Sequence, residues 1–182
     1  MYPGRLEKTV DQYGQAGIKY VEIFFNTFSE LSFQYVSELK KRVSAYGMEV
    51  LSVHPFTSGM EPLMFFTDYA PRFDDMMELY KKYNEAMNLL SVPIFVLHGD
   101  GVNSQNSIGF YAERYLKIRE EGKKFGIEVA QENVSRCKAG SITFLKSLIL
   151  ETNKDISFVL DIKQAIRAHC DPFEVYEIMK PF

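Results

Sequence analysis

The chain has 182 residues, 46% of them hydrophobic, with 21 Lys and Arg against 24 Asp and Glu. That supplies one sizeable core, and a net charge of -3 argues against a polybasic nucleic-acid coat or membrane-surface binder. No apolar run reaches the roughly 18 residues of a membrane span, and MYPGRLEKTV lacks the apolar centre of a signal peptide. The two cysteines, Cys137 and Cys170, form no CxxC, so a single cytoplasmic domain over residues 1–182 with two ordinary thiols is expected.

In chain order, Leu6, Val10 and Tyr13 follow Pro3 at helical spacing. Gly17 ends that stretch, where a positive φ costs glycine nothing, and KYVEIFF then alternates as a strand. Leu31, Tyr35, Leu39 and Val43 mark the next helix, and Gly47 leads into the strand MEVLSVH. The connection PFTSGMEPLMFFTDYA, residues 55–70, is long and apolar; a wall over a site is favoured, with a subunit contact as the competing reading. Phe73, Met76, Tyr80, Tyr83 and Met87 form a helix stripe after Pro71, followed by a strand from Ile94 to His98. Tyr111, Tyr115, Ile118 and Phe125 form another helix, Gly126 precedes the strand IEVAQEN, and Ile142, Leu145 and Leu148 form a shorter helix. The last strand runs from Ile156 to Asp161. In DPFEVYEIM, Asp171 caps a helix, Pro172 opens it and Glu174 is placed to reach back to the cap.

One helix followed by five β-α units predicts an α/β fold with a parallel sheet and right-handed crossovers. No strand is followed by G-x-G-x-x-G, whereas His54, His98, Glu132 and Asp161 stand at the C-terminal ends of successive strands. Ligand-type residues at those ends are the pattern of a (β/α)8 TIM barrel site, so the barrel is favoured over a doubly wound sheet. Alternation back from the strand ends places Ser52 and Val50, Val96 and Ile94, and Val159 and Ser157 on the inner face. Such barrels need about 250 residues. The reading is therefore a partial barrel, holding strands 2–6, with strands 1, 7 and 8 outside this chain.

The segments GIEVAQEN and FVLDIKQAIRAHCDPFEVYEIM resemble the xylose isomerase-like TIM barrel superfamily, in particular its sugar phosphate isomerase/epimerase group. GIKYVEIF, LSVHPF and FVLHGD support the resemblance more weakly. It implies one divalent metal, manganese foremost, with magnesium, cobalt or zinc as alternatives. The family holds it with a Glu, an Asp, a His and a Glu from strands five to eight; Glu132 and Asp161 match the first two. It further implies isomerisation or epimerisation of a small-molecule sugar through an enediolate, with Glu132 both ligand and acid/base and Asp161 a ligand alone. Gln164 is implied as a substrate-binding residue, and His54 and His98, which end strands, and Glu22, on the inner face by alternation, are further substrate-binding candidates, with bracing of the neighbouring strand as the alternative for Glu22. Gln164 stands where many relatives carry a histidine, and it hydrogen-bonds without carrying a proton. Homo-oligomers are common among such relatives. The plainer readings are an ion pair for Glu132, a helix cap for Asp161 and hydrogen-bonded filler for the histidines. His169 beside Cys170 lacks the further partners a metal would need.

Two other functions compete. In an AP endonuclease-like zinc phosphodiesterase of the same superfamily, His54, His98 and Glu132 fall at ligand positions, but Gln164 replaces a ligand histidine and the acidic balance suits a phosphodiester poorly. The other is an inactive truncated remnant whose open barrel leaves sheet edges unpaired.

Overall fold

A computed structural model describes residues 4–182. Pro3 lies outside the described residues. Five strands, β1 (Tyr20–Phe24), β2 (Glu49–His54), β3 (Ile94–Leu97), β4 (Glu128–Glu132) and β5 (Ser157–Val159), pair in parallel. Their spatial order is the chain order, as in a (β/α) barrel; a doubly wound sheet would reverse direction at a switch point. The sheet does not close: β1 and β5 are its edges. The observed class is thus α/β and the architecture a partial barrel.

The helices are α1 (Leu6–Gln15), α2 (Phe33–Ala45), α3 (Glu61–Met64), α4 (Ala70–Leu90), α5 (Ile108–Lys123), α6 (Ile142–Glu151), α7 (Ile162–Arg167) and α8 (Pro172–Met179). Among the described residues, none is long and apolar enough to cross a membrane. The starts of α2, α5, α6 and α8 are set by side-chain caps: the Ser32, Ser107, Ser141 and Asp171 side chains accept from Tyr35, Phe110, Phe144 and Phe173 backbone N–H groups. Glu174, expected to reach back to the cap, pairs with Lys146 at 3.8 Å. Gly17, Gly47 and Gly126 take φ of 77°, 60° and 73°, so these three α-to-β passages use the left-handed turn that only glycine enters freely. Leu31 falls in a separate 3-10 turn, Phe28–Leu31, and Phe125 falls beyond the end of α5.

The core lies between the outer face of the sheet and the helices. Ile23, Val53, Phe95, Leu97 and Val129 meet Val36, Leu39, Met76, Tyr83, Met87, Tyr111 and Tyr115, all buried. Each fully buried side chain of this size contributes roughly 1.5–3 kcal/mol. One inner-face expectation is overturned. The register slips between Val21 and Glu22, opposite Leu51. Val50 therefore joins Val53 on the outer face and is 5% exposed, while Leu51 is left 41% exposed. A bulge inserts one residue, which breaks the period of two.

The apolar connection also differs from the wall expected of it. It forms a 3-10 turn (Phe56–Met60) and α3, and it packs on the helix layer. Phe65 packs edge-on to Tyr80 and Phe73, and Phe66 stacks on Tyr111. Its bulk covers the tops of α4 and α5 because the aromatic stripes there offer the apolar surface it needs.

Candidate active site

His54 ends β2, His98 directly follows β3 and Glu132 ends β4, so parallel pairing brings all three to one end of the sheet. There a cleft of about 340 Å³ is lined by Glu22, His54, Val96, Glu132, Leu160, Asp161 and Lys163, among others. The donor atoms of His54, His98 and Glu132 lie within 4.8 Å of one another. His98 Nε2 is 2.6 Å from His54 Nε2 and 2.9 Å from Glu132 Oε2, and His54 Nε2 is 3.8 Å from the same oxygen. The rings cross edge to face, with Phe24 stacked on His54.

Burial would raise the pKa of Glu132, but its contacts with His54 and His98 outweigh that and bring it down to about 2. Burial opposes charge on both rings. For His98 it prevails and lowers the pKa; for His54 the surrounding carboxylates, Glu132 first, prevail and raise it. The result is an ionised carboxylate between two imidazoles.

The remaining sequence-predicted residues divide. Glu22 lines the cleft and accepts from Ser52 Oγ at 2.6 Å, so it braces β1 on β2. Asp161 also lines the cleft, but its Oδ1 accepts from Gln164 N and caps α7, outside the tight cluster. Gln164 turns away: its Oε1 accepts from Ser135 N and Oγ at 3.1 and 2.8 Å, tying α7 to the loop after β4. Asn133, beside Glu132, accepts from Asp161 N and donates to Asp161 O, fixing the end of β5 against β4. Both cysteines are free, and burial pushes the Cys137 thiol up to about 12, away from reactivity.

Two residues went unseen in the sequence. Glu61, in α3, is fully buried; its Oε2 accepts from His98 N and Gly99 N, and its Oε1 from Tyr80 Oη at 2.7 Å. It fixes the backbone that carries His98, and burial pushes its pKa up to about 7 against those hydrogen bonds. Arg136 places a guanidinium nitrogen 2.9 Å from His98 Nδ1. Both lie outside the strands, where no periodicity marks a residue as aimed at a site; the proline after Glu61 was the only local signal.

The cluster has the donor types of a divalent-cation site. Glu132 Oε2 is buried, ionised and without a hydrogen bond despite its nearness to the rings, because neither N–H points at it. An orphaned anionic oxygen beside imidazole nitrogens fits a cation such as manganese, cobalt or zinc.

Neither a protein-family model nor a curated protein matches the sequence. Solved structures do match in fold. A D-tagatose 3-epimerase-like protein is 20% identical with a TM-score of 0.71, covering 89% of this chain and 62% of its own. A sugar phosphate isomerase/epimerase from Parabacteroides distasonis is 22% identical with a TM-score of 0.69, covering 94% and 65%. A xylose isomerase-like TIM barrel protein from Mycobacterium smegmatis, solved with magnesium, is 13% identical with a TM-score of 0.71, covering 97% and 63%. The fold is therefore that of the xylose isomerase-like TIM barrels, and the chain spans less than two thirds of each of these structures.

Proposed function

We propose that this xylose isomerase-like chain belongs to a divalent-metal-dependent sugar isomerase or epimerase, acting on a small ketose or sugar phosphate. The observation that carries this reading is the orphaned, ionised Oε2 of Glu132 at the C-terminal end of a barrel strand. Glu132 would hold the metal, with Asp161 Oδ2, at the start of α7 just past β5, as the second carboxylate. When bound, the metal supplies polarisation of the substrate carbonyl, which acidifies the adjacent C–H.

The Glu132 oxygen not engaged by the metal would take that proton: the C–H bond breaks, an O–H bond forms, and the electron pair moves to the carbonyl oxygen, giving the enediolate. A carboxylate of such low pKa is a weak base and returns the proton readily. Glu22 and Lys163, on the cleft wall, orient the sugar hydroxyls, and Val96 and Leu160 keep one side dry.

The test is carbon-bound hydrogen exchange. A panel of ketoses is incubated in D2O with the protein and Mn2+, Mg2+ or Co2+, and deuterium at the carbons flanking the carbonyl is followed by NMR. Metal-dependent exchange that Glu132→Gln abolishes is expected; no exchange on any ketose with any metal would overturn the reading.

One observation favours a second reading. The three residues gathered most tightly, His54, His98 and Glu132, are those a zinc phosphodiesterase would use. Zn2+-dependent nicking of abasic-site DNA, lost in His54→Gln, would replace the sugar reading with this one.

A further inference from the structure

His54 and His98 form a chain of hydrogen bonds whose two ends are chemically fixed. At one end Arg136 Nη2 lies 2.9 Å from His98 Nδ1, and a guanidinium only donates. At the other, His54 Nδ1 lies 3.2 Å from the Pro55 carbonyl oxygen, which only accepts. Between them the two Nε2 atoms are 2.6 Å apart, a distance that holds one proton. Because His98 Nδ1 must accept, its proton sits on Nε2; because His54 Nδ1 must donate, its Nε2 carries a lone pair. The whole chain then runs one way: Arg136 to His98, His98 to His54, His54 to Pro55.

We infer that Arg136 is a positioning residue that fixes His98 as a hydrogen-bond donor through Nε2, so that His98 donates to His54 and is withheld from metal ligation. Metal ligation through Nε2 needs the lone pair that this proton occupies. The orphaned Glu132 oxygen agrees: the single proton of His98 points at His54, and Glu132 Oε2 is left for a cation.

The consequence for catalysis rests on the metal-centre reading, but the test does not. Long-range 1H–15N correlation spectra of the uniformly labelled protein, without added metal, report the protonated nitrogen of each ring. With His54, His98 and His169 the only histidines, single His→Gln variants assign them. The expected pattern is a proton on Nε2 of His98 and on Nδ1 of His54. A proton on Nδ1 of His98, or imidazolium at His54, would overturn the inference.

Arg136 is exposed, so its replacement spares the core. In Arg136→Met the lock is gone, His98 gains the other tautomer, and Zn2+ affinity measured by calorimetry rises about ten-fold. Arg136→Lys keeps a donor and restores the wild-type spectrum and affinity. Unchanged tautomers and zinc affinity in Arg136→Met would equally overturn it. The expected spectra without ketose exchange would sink the sugar reading alone; exchange with the opposite tautomers would sink this one alone.

Discussion

Glu61 and Glu132 both touch His98, one at its backbone N–H and the other beside its ring, and their environments act on them in opposite net directions. Glu61 has its pKa raised to about 7 from 4.5, so its protonated form is the one the fold prefers. Its contribution to stability is present below about pH 4.5 and is lost as the pH rises to about 7, a change on the order of 3 kcal/mol. Glu132, lowered to about 2, has the reverse sign: its contribution is present above about pH 4.5 and lost as the pH falls through 2, again on the order of 3 kcal/mol. Urea unfolding midpoints across pH therefore fall for the wild type between pH 4.5 and 7 through Glu61, and Glu61→Gln flattens that slope. Glu132→Gln flattens the acid limb below pH 4.5. Of these two acids only Glu132 was legible in the sequence, since it ends an apolar strand. Glu61 lies in a 16-residue connection whose apolar residues advertised packing, and its aim at His98 depends on a fold-back that no local pattern encodes.

The element carrying His98 is held as tightly as the residue. Gly99, immediately after β3, has φ of 86° and donates its N–H to Glu61. A Cβ there would fall on the Tyr111 hydroxyl, which itself donates to Gln131 Oε1 at 2.6 Å. Gly99→Ala is thus expected to cost about 2–4 kcal/mol through combined strain and overlap. In a Tyr111→Phe background, with the hydroxyl gone, the cost falls but stays above the backbone share alone, because the ring carbon Cζ still lies 2.9 Å from the added Cβ. Denaturant titration of the four proteins of this cycle checks it; a Gly99→Ala cost identical in both backgrounds would refute the overlap. At this scale much could be read from sequence. Glycine after each of three helices, Asp171 before Pro172 and the apolar stripes are local signals, and the elements follow them. The bulge opposite Leu51 could not be read, because it arises from pairing with β1, a partner thirty residues away.

For the whole molecule, the sheet leaves two edges and part of its inner face open. Among the described residues, β1 pairs only with β2 and β5 only with β4. Tyr20, on the inner side of β1, is 65% exposed, and on the β5 side Ile162, Ile166 and Phe173 are 59%, 60% and 79% exposed. Exposed apolar side chains flanking an unpaired parallel edge form a surface that lowers its free energy by covering itself, at about 25 cal/mol per Å² of apolar area buried. The chain alone is therefore expected to self-associate, with sedimentation coefficients that rise across a dilution series from low to high concentration. The contact involves the β5 side more than the β1 side, since α7 and α8 add their apolar residues to that edge. Ile166→Lys combined with Phe173→Lys should then keep the protein monomeric at concentrations where the wild type associates. Because both residues are exposed, the unfolding midpoint of the monomer should shift by no more than about 0.5 kcal/mol. Association that persists in this double variant but disappears in Tyr20→Lys would move the contact to β1. A wild type that stays monomeric throughout would show that the open sheet is stable uncovered, its edges protected by twist and by the charges of Glu22 and Lys163 on the cleft wall.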